Sequence, residues 1–110
     1  MDEILLVITH LPDRASAQRL AHAAIESRAA ACVNILAPCT SVYRWQGKVE
    51  TAEEVPLLIK TTREAYSRLE TLVRKHHPYE LPEIIAVSVN GGLPDYLQWV
   101  AKETQVPVTR

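Results

Sequence analysis

The chain has no long basic run and a formal net charge of −1, so it carries no electrostatic footprint for nucleic acid or for an acidic membrane surface. It also lacks a long apolar segment. The run from Ile4 to Ile8, behind the opening Met1-Asp2-Glu3, is too short for a signal-peptide core or a membrane span. The expectation is a cytoplasmic protein with no nucleic-acid and no membrane partner. Cysteine is scarce: Cys32 and Cys39 lie an odd number of positions apart on what reads as one strand. Their side chains then face opposite sides unless Pro38 introduces a bulge, and no disulfide is expected. Without a CxxC pair or paired Cys/His spacing, neither cysteine defines a structural zinc site. Among apolar neighbours Cys32 reads as an inert core thiol, and Cys39 as the more reachable one. A Gly-rich phosphate loop, a nucleophile elbow and a His-Glu-x-x-His helix are all missing, so no catalytic motif argues for an enzyme.

What is present fits one domain over residues 1–110, with 47% hydrophobic residues and neither linker, repeat nor low-complexity segment. Glu3 to Thr9 has the two-sided apolar pattern of a central strand. Pro12-Asp13 ends it, and Asp13 or Ser16 is positioned to cap a helix carrying Ala17, Leu20, Ala21, Ala24 and Ile25 on one stripe. Ala31 to Trp45 and Lys48 to Thr62 read as two strands joined by a two-residue turn at Gln46-Gly47. A second helix, Arg63 to His77, carries Ala65, Leu69, Leu72, Val73 and His76 on its apolar stripe, with Glu64/Arg68 and Glu70/Arg74 at supporting spacing. Ile84 to Val89 reads as a strand, and the Gly91 to Asp95 break leads into a short helix with Tyr96, Leu97 and Val100.

The order strand, helix, strand, strand, helix, strand predicts an α+β fold, the ferredoxin-like split βαβ antiparallel sheet with both helices on one face, followed by a C-terminal helix. Strands of about 15 residues rise to roughly 50 Å, whereas a domain of this size has a radius of gyration of about 13 Å. The hairpin between the second and third strands must therefore protrude or bend. Pro38 and Pro56 each remove a ladder donor and mark bulges or edge positions. Val42, Tyr43, Trp45 and Val49 near the tip, and strands apolar on both sides, call for cover by a second copy. The alternative is a monomer whose last helix folds over the open face.

Four strings carry a family resemblance: Ala31-Cys32-Val33-Asn34, Thr40 to Lys48 (TSVYRWQGK), Glu54 to Thr61 (EVPLLIKT) and His77 to Ile84 (HPYELPEI). Together, and in this order, they resemble the CutA family of divalent-cation tolerance proteins, from the first strand to Tyr96-Leu97-Gln98-Trp99. The resemblance implies a homotrimer, a role in divalent-metal tolerance and copper binding, with no implied reaction. Carried over by position, the metal ligands of copper-binding relatives fall on His76 and His77, with Thr9 where those relatives have cysteine. A hydroxyl is a poor ligand for Cu(I), which leaves an imidazole site for Cu(II), Zn or Ni, and His10 is the adjacent substitute.

The residues themselves frame two sites. In His76-His77-Pro78-Tyr79-Glu80-Leu81-Pro82-Glu83 the proline ends the helix and leaves both histidines at its C-terminus, where the helix dipole favours a cation. Adjacent helical side chains diverge by roughly 100°, so a shared ion calls for a subunit interface. His76 also reads as a packed or capping residue. The second constellation is Glu54, Lys60, Tyr79 and Glu83 with Trp45 as an apolar wall, gathered at an inter-subunit cleft. It suits a small metabolite or polar ligand, or equally ion pairs that fix register between chains. Three functions are therefore weighed: a metal-binding tolerance protein, a signalling or scaffold trimer with a metabolite or protein partner, and a purely structural assembly module.

Overall fold

Strand β1 (Ile4–Leu11) continues past Thr9 through His10 and Leu11, because these still pair with Pro56 and Val55 before Pro12 intervenes. The structure is a computed structural model describing residues 3–107; Met1, Asp2 and residues 108–110, the ends of the expected 1–110 domain, lie outside the described residues. Helix α1 (Arg14–Glu26) starts at Asp13, whose carboxylate accepts from the Ser16 N–H at 2.8 Å. Of the two expected caps, Asp13 takes the role and Ser16 sits inside the first turn. Ala17, Leu20, Ala21 and Ala24 are buried, but Ile25 is 42% exposed and leaves the stripe.

The strand expected from Ala31 to Trp45 is two strands, β2 (Cys32–Ile35) and β3 (Cys39–Trp45), both antiparallel to β4 (Lys48–Thr62). The break at Leu36–Pro38 faces Pro56. Leu36 N–H donates to the Pro56 carbonyl at 3.0 Å, so the side of β4 on which Pro56 lacks its own N–H meets the gap instead of a ladder partner. Pro56 therefore stays within a continuous strand. At the tip, Gln46 (φ 51°) and Gly47 (φ 81°) both adopt the left-handed region that a two-residue type I′ hairpin needs. The cysteines are free and lie opposite Lys60 and Glu54, on different strands.

Helix α2 (Arg63–His76) begins at Thr62, whose hydroxyl accepts from the Ala65 N–H. Ala65, Leu69 and Val73 are buried, whereas His76 is exposed, so the apolar stripe stops one turn earlier than its spacing suggests. Arg68 pairs with Glu64 at 3.1 Å as expected, but Glu70 accepts from the Tyr66 hydroxyl rather than meeting Arg74. Strand β5 (Ile85–Ser88) pairs with β1, and helix α3 (Pro94–Glu103) opens with Pro94 in its first turn, where a missing N–H costs no hydrogen bond.

The sheet order is β2-β4-β1-β5, with β3 on the outer half of β4 and the described pairings all antiparallel, which is the expected split βαβ arrangement. Leu5, Val7, Leu11, Leu57 and Ile59 point to one face and form the core with Leu20, Ala24, Leu69 and Val73 of the two long helices. On the opposite face Leu6 pairs with Val87 and Ile8 with Ile85. Helix α3 covers only one end of that face: Ile4, Thr62 and Val100 are buried there, and the Thr104 and Thr62 hydroxyls lie 3.4 Å apart. Ile85 and Val87 remain about half exposed. The hairpin protrudes, giving extents of 49 × 32 × 23 Å and a radius of gyration of 14.8 Å.

Glu3 ties three elements at one end. Its carbonyl accepts from Arg63 N–H, and its carboxylate accepts from Arg63 Nε and from the Ser88 hydroxyl, each at 2.6 Å. The Arg63 hydrogen bond, followed by that of Ser88, holds its pKa down at about 2 from 4.5. Folding is thus aided by the ionised form above pH 4.5 and loses that aid as pH falls toward 2. Glu3→Gln is expected to flatten this part of the acid-stability profile, measured by unfolding midpoint against pH. Leu57→Ala, at a fully buried core position, is expected to destabilise by about 2–5 kcal/mol in guanidinium unfolding.

Candidate functional site

At the end of α2 the residue before Pro78 cannot keep helical geometry, and His77 takes φ −78°, ψ 131°. Its N–H still closes the helix on Val73 O at 2.8 Å, while the turn swings the ring inward. The ring is buried, with Nε2 2.6 Å from the carbonyl of His10 and Nδ1 3.2 Å from the Tyr79 N–H. A carbonyl cannot donate, so Nε2 carries the proton and donates; Nδ1 then accepts from Tyr79. Both ring nitrogens are engaged in fixing the loop. His76, one residue earlier, is exposed, so the structure does not bring the two imidazoles together.

Thr9 and His10 hold Glu83 from two directions. The buried Thr9 hydroxyl donates to the Glu83 carbonyl at 2.6 Å, and His10 Nδ1 lies 3.0 Å from the Glu83 carboxylate. Thr9 therefore locks the loop onto β1. Among the described residues no three His, Cys, Asp or Glu side chains converge as metal ligands.

The loop also carries Tyr79 to Glu54. The Tyr79 hydroxyl donates to Glu54 Oε2 at 3.0 Å, and its ring lies 4.7 Å from that of His77, tilted by 54°. Glu54 stands where β4 runs past the end of β1 and continues against β3, and it is 9% exposed. Burial first, then the neighbouring Glu54 carboxylate, pushes the Tyr79 phenol up to about 12. A phenol so far from neutrality acts as a hydrogen-bond donor rather than as a proton shuttle.

Four of the five residues expected at the cleft, Trp45, Glu54, Tyr79 and Glu83, line one concavity of about 730 Å³ between the hairpin and the loop. Lys60 is absent from it. Lys60 is six positions along β4 from Glu54, roughly 20 Å at strand rise, on the face shared with Leu6 and Cys32, where it donates to Asn34 Oδ1. His10, Tyr43 and Arg44 also line the cleft. For Tyr43 a signal existed, since it alternates with Trp45 along β3.

The raised Tyr79 pKa gives a stability contribution that is full below pH 10 and is lost as pH rises toward 12, because the folded state retains the proton that the unfolded chain releases. Tyr79→Phe is expected to remove the highest phenolate transition in an absorbance titration and to shallow the loss of stability between those pH values.

Comparison with known proteins agrees with this geometry. Residues 5–103 match the family model for the CutA1 divalent ion tolerance protein. The divalent-cation tolerance protein CutA of Thermus thermophilus is 42% identical over 104 residues, covering 94% of this chain and 99% of that protein. The solved structure of a divalent cation tolerance protein from Thermus thermophilus superimposes with a TM-score of 0.90, covering 96% of this chain and all of that one at 42% identity. CutA1 from Oryza sativa gives a TM-score of 0.91 at 38% identity, covering 94% and 95%. On the sheet order, the loop and these matches across nearly its whole length, the chain belongs to the CutA1 divalent ion tolerance family.

Proposed function

We propose that the protein is a cytoplasmic homotrimer that binds a divalent metal, copper first, and contributes to metal tolerance without catalysing a reaction. The observation that carries this reading is the family match across residues 5–103. Assembly is supported by the open sheet face, where Ile85 and Val87 stay half exposed beside Leu6 and Ile8, and by the exposed Val42 and Val49 on the hairpin. Metal binding is supported by the exposed imidazole of His76 in the last turn of α2, where the dipole favours a cation. An ion held there takes further ligands from neighbouring copies, and His77 joins only by giving up its bonds to His10 and Tyr79. With threonine at position 9 and its hydroxyl committed to Glu83, the donors suit Cu(II), Zn or Ni better than Cu(I).

The cleft favours a second reading, a signalling or scaffold trimer that binds a small metabolite or a protein partner between subunits. Its volume lies in the range of small-molecule sites and its walls combine aromatic faces with carboxylates.

Calorimetric titration of metal-free protein with Cu(II) and Zn, alongside His76→Ala and His77→Ala, tests the metal reading. His76→Ala is expected to weaken binding by about tenfold or more. His77→Ala is expected to lower the free energy of unfolding as well, by roughly 1–3 kcal/mol in guanidinium unfolding, because it leaves the His10 carbonyl and the Tyr79 N–H without their partner. Equal affinity in wild type and both variants would remove these histidines from the site.

A further inference from the structure

The cleft contains a buried carboxylate that forms no ion pair among the described residues. Glu54 is nine-tenths buried, its hydrogen-bond partner is the neutral Tyr79 phenol, and none of the ion pairs formed among the described residues includes it. A carboxylate withdrawn from water and left unpaired is costly, so the site is poised to gain from a cation that enters it. The surrounding charge points the same way. Glu80 and Glu83 add carboxylates, against Arg44 and His10, and His10 is already engaged with Glu83. Tyr43 and Trp45 supply aromatic faces on the same cleft.

We propose that this cleft binds a small organic cation, an aliphatic ammonium whose charge meets Glu54 and whose stem lies against Tyr43 and Trp45. The inference deepens the second reading above and rests on it, naming the chemical class of the ligand. An aliphatic ammonium needs one or two carboxylates and an aromatic wall, and gains from both. A bare divalent ion instead asks for several converging ligands, which the described residues do not gather here. An anion would meet the Glu54 carboxylate directly and is disfavoured. Tyr79 keeps Glu54 in place by donating to Oε2, leaving the other carboxylate oxygen for the ammonium.

The test is calorimetric titration of the full-length, assembled protein with spermidine, in buffer containing chelator so that bridging metal takes no part. Inorganic phosphate is titrated in parallel. Glu54→Gln keeps the acceptor for Tyr79 but removes the charge, and is expected to weaken spermidine binding by about tenfold or more; Trp45→Leu is expected to weaken it severalfold. Affinity should fall as salt rises. Spermidine binding equal in wild type and both variants, or absent, overturns the proposal. Phosphate binding that Trp45→Leu abolishes, with none for spermidine, overturns the cation assignment yet leaves the cleft a metabolite site; no binding of either probe counts against both. An altered sedimentation profile for Glu54→Gln, in a protein that binds no spermidine, assigns the missing counter-charge to a second copy and also overturns it. Should Glu54→Gln fail to fold by circular dichroism, Trp45→Leu decides.

Discussion

A strand as long as β4 cannot be contained by a domain this small, and the rest of the molecule is arranged around that misfit. Its inner half lies between β1 and β2 and supplies Leu57 and Ile59 to the core. Its outer half leaves β1 behind after Val55 and, among the described residues, pairs with β3 alone. Glu54 occupies the crossover. One residue inward, Val55 pairs with Leu11 of β1 and faces the gap between β2 and β3, and one residue outward the backbone belongs to a two-stranded ribbon with exposed Val42 and Val49. The cleft exists because a ribbon leaving a sheet makes a re-entrant angle, and the Tyr79 to Glu83 loop is laid across the open side of it.

That loop is held by unlike bonds that converge. His77 reaches the backbone of β1, Thr9 reaches the backbone of the loop, and His10 reaches the Glu83 side chain. Two consecutive β1 residues point to opposite sides of the sheet, so Thr9 and His10 grip the loop from both faces of the strand. The arrangement converts a proline-interrupted segment, which has few backbone hydrogen bonds of its own, into a rigid wall. A histidine that would otherwise be read as a ligand is spent on that rigidity.

Much of this was legible in the residues. Alternation and the Gln46-Gly47 pair mark the hairpin, and the spacing of Leu69 and Val73 marks the buried side of α2. Tyr79, between Pro78 and Pro82, and Trp45, beside the Gln46-Gly47 turn, stand out in the residues, whereas Glu54 and Glu83 join them on the strength of the EVPLLIKT and HPYELPEI strings. The errors have physical causes. His76 continues the helical period from Val73, but the conformation imposed by Pro78 hands burial to His77, which periodicity does not see. Lys60 shares a strand with Glu54, and only the strand's length, not its sequence, separates them. The division of β2 from β3 depends on Pro38 and Pro56 falling near each other across the ladder, a matter of register between distant segments.

The proline pair has a dynamic meaning. Cooperativity in a sheet travels through unbroken hydrogen-bonded ladders, and the gap at Leu36–Pro38 opposite Pro56 interrupts the ladder between β4 and its β2–β3 neighbour. The ribbon beyond it, β3 with the outer half of β4, lies outside that ladder and outside the core that holds Leu57 and Ile59, an arrangement in which local opening costs less than opening the helix-backed sheet. One wall of the cleft belongs to each of these two parts, so whatever settles in it trades its own freedom against that of the ribbon, and occupancy becomes coupled to local order.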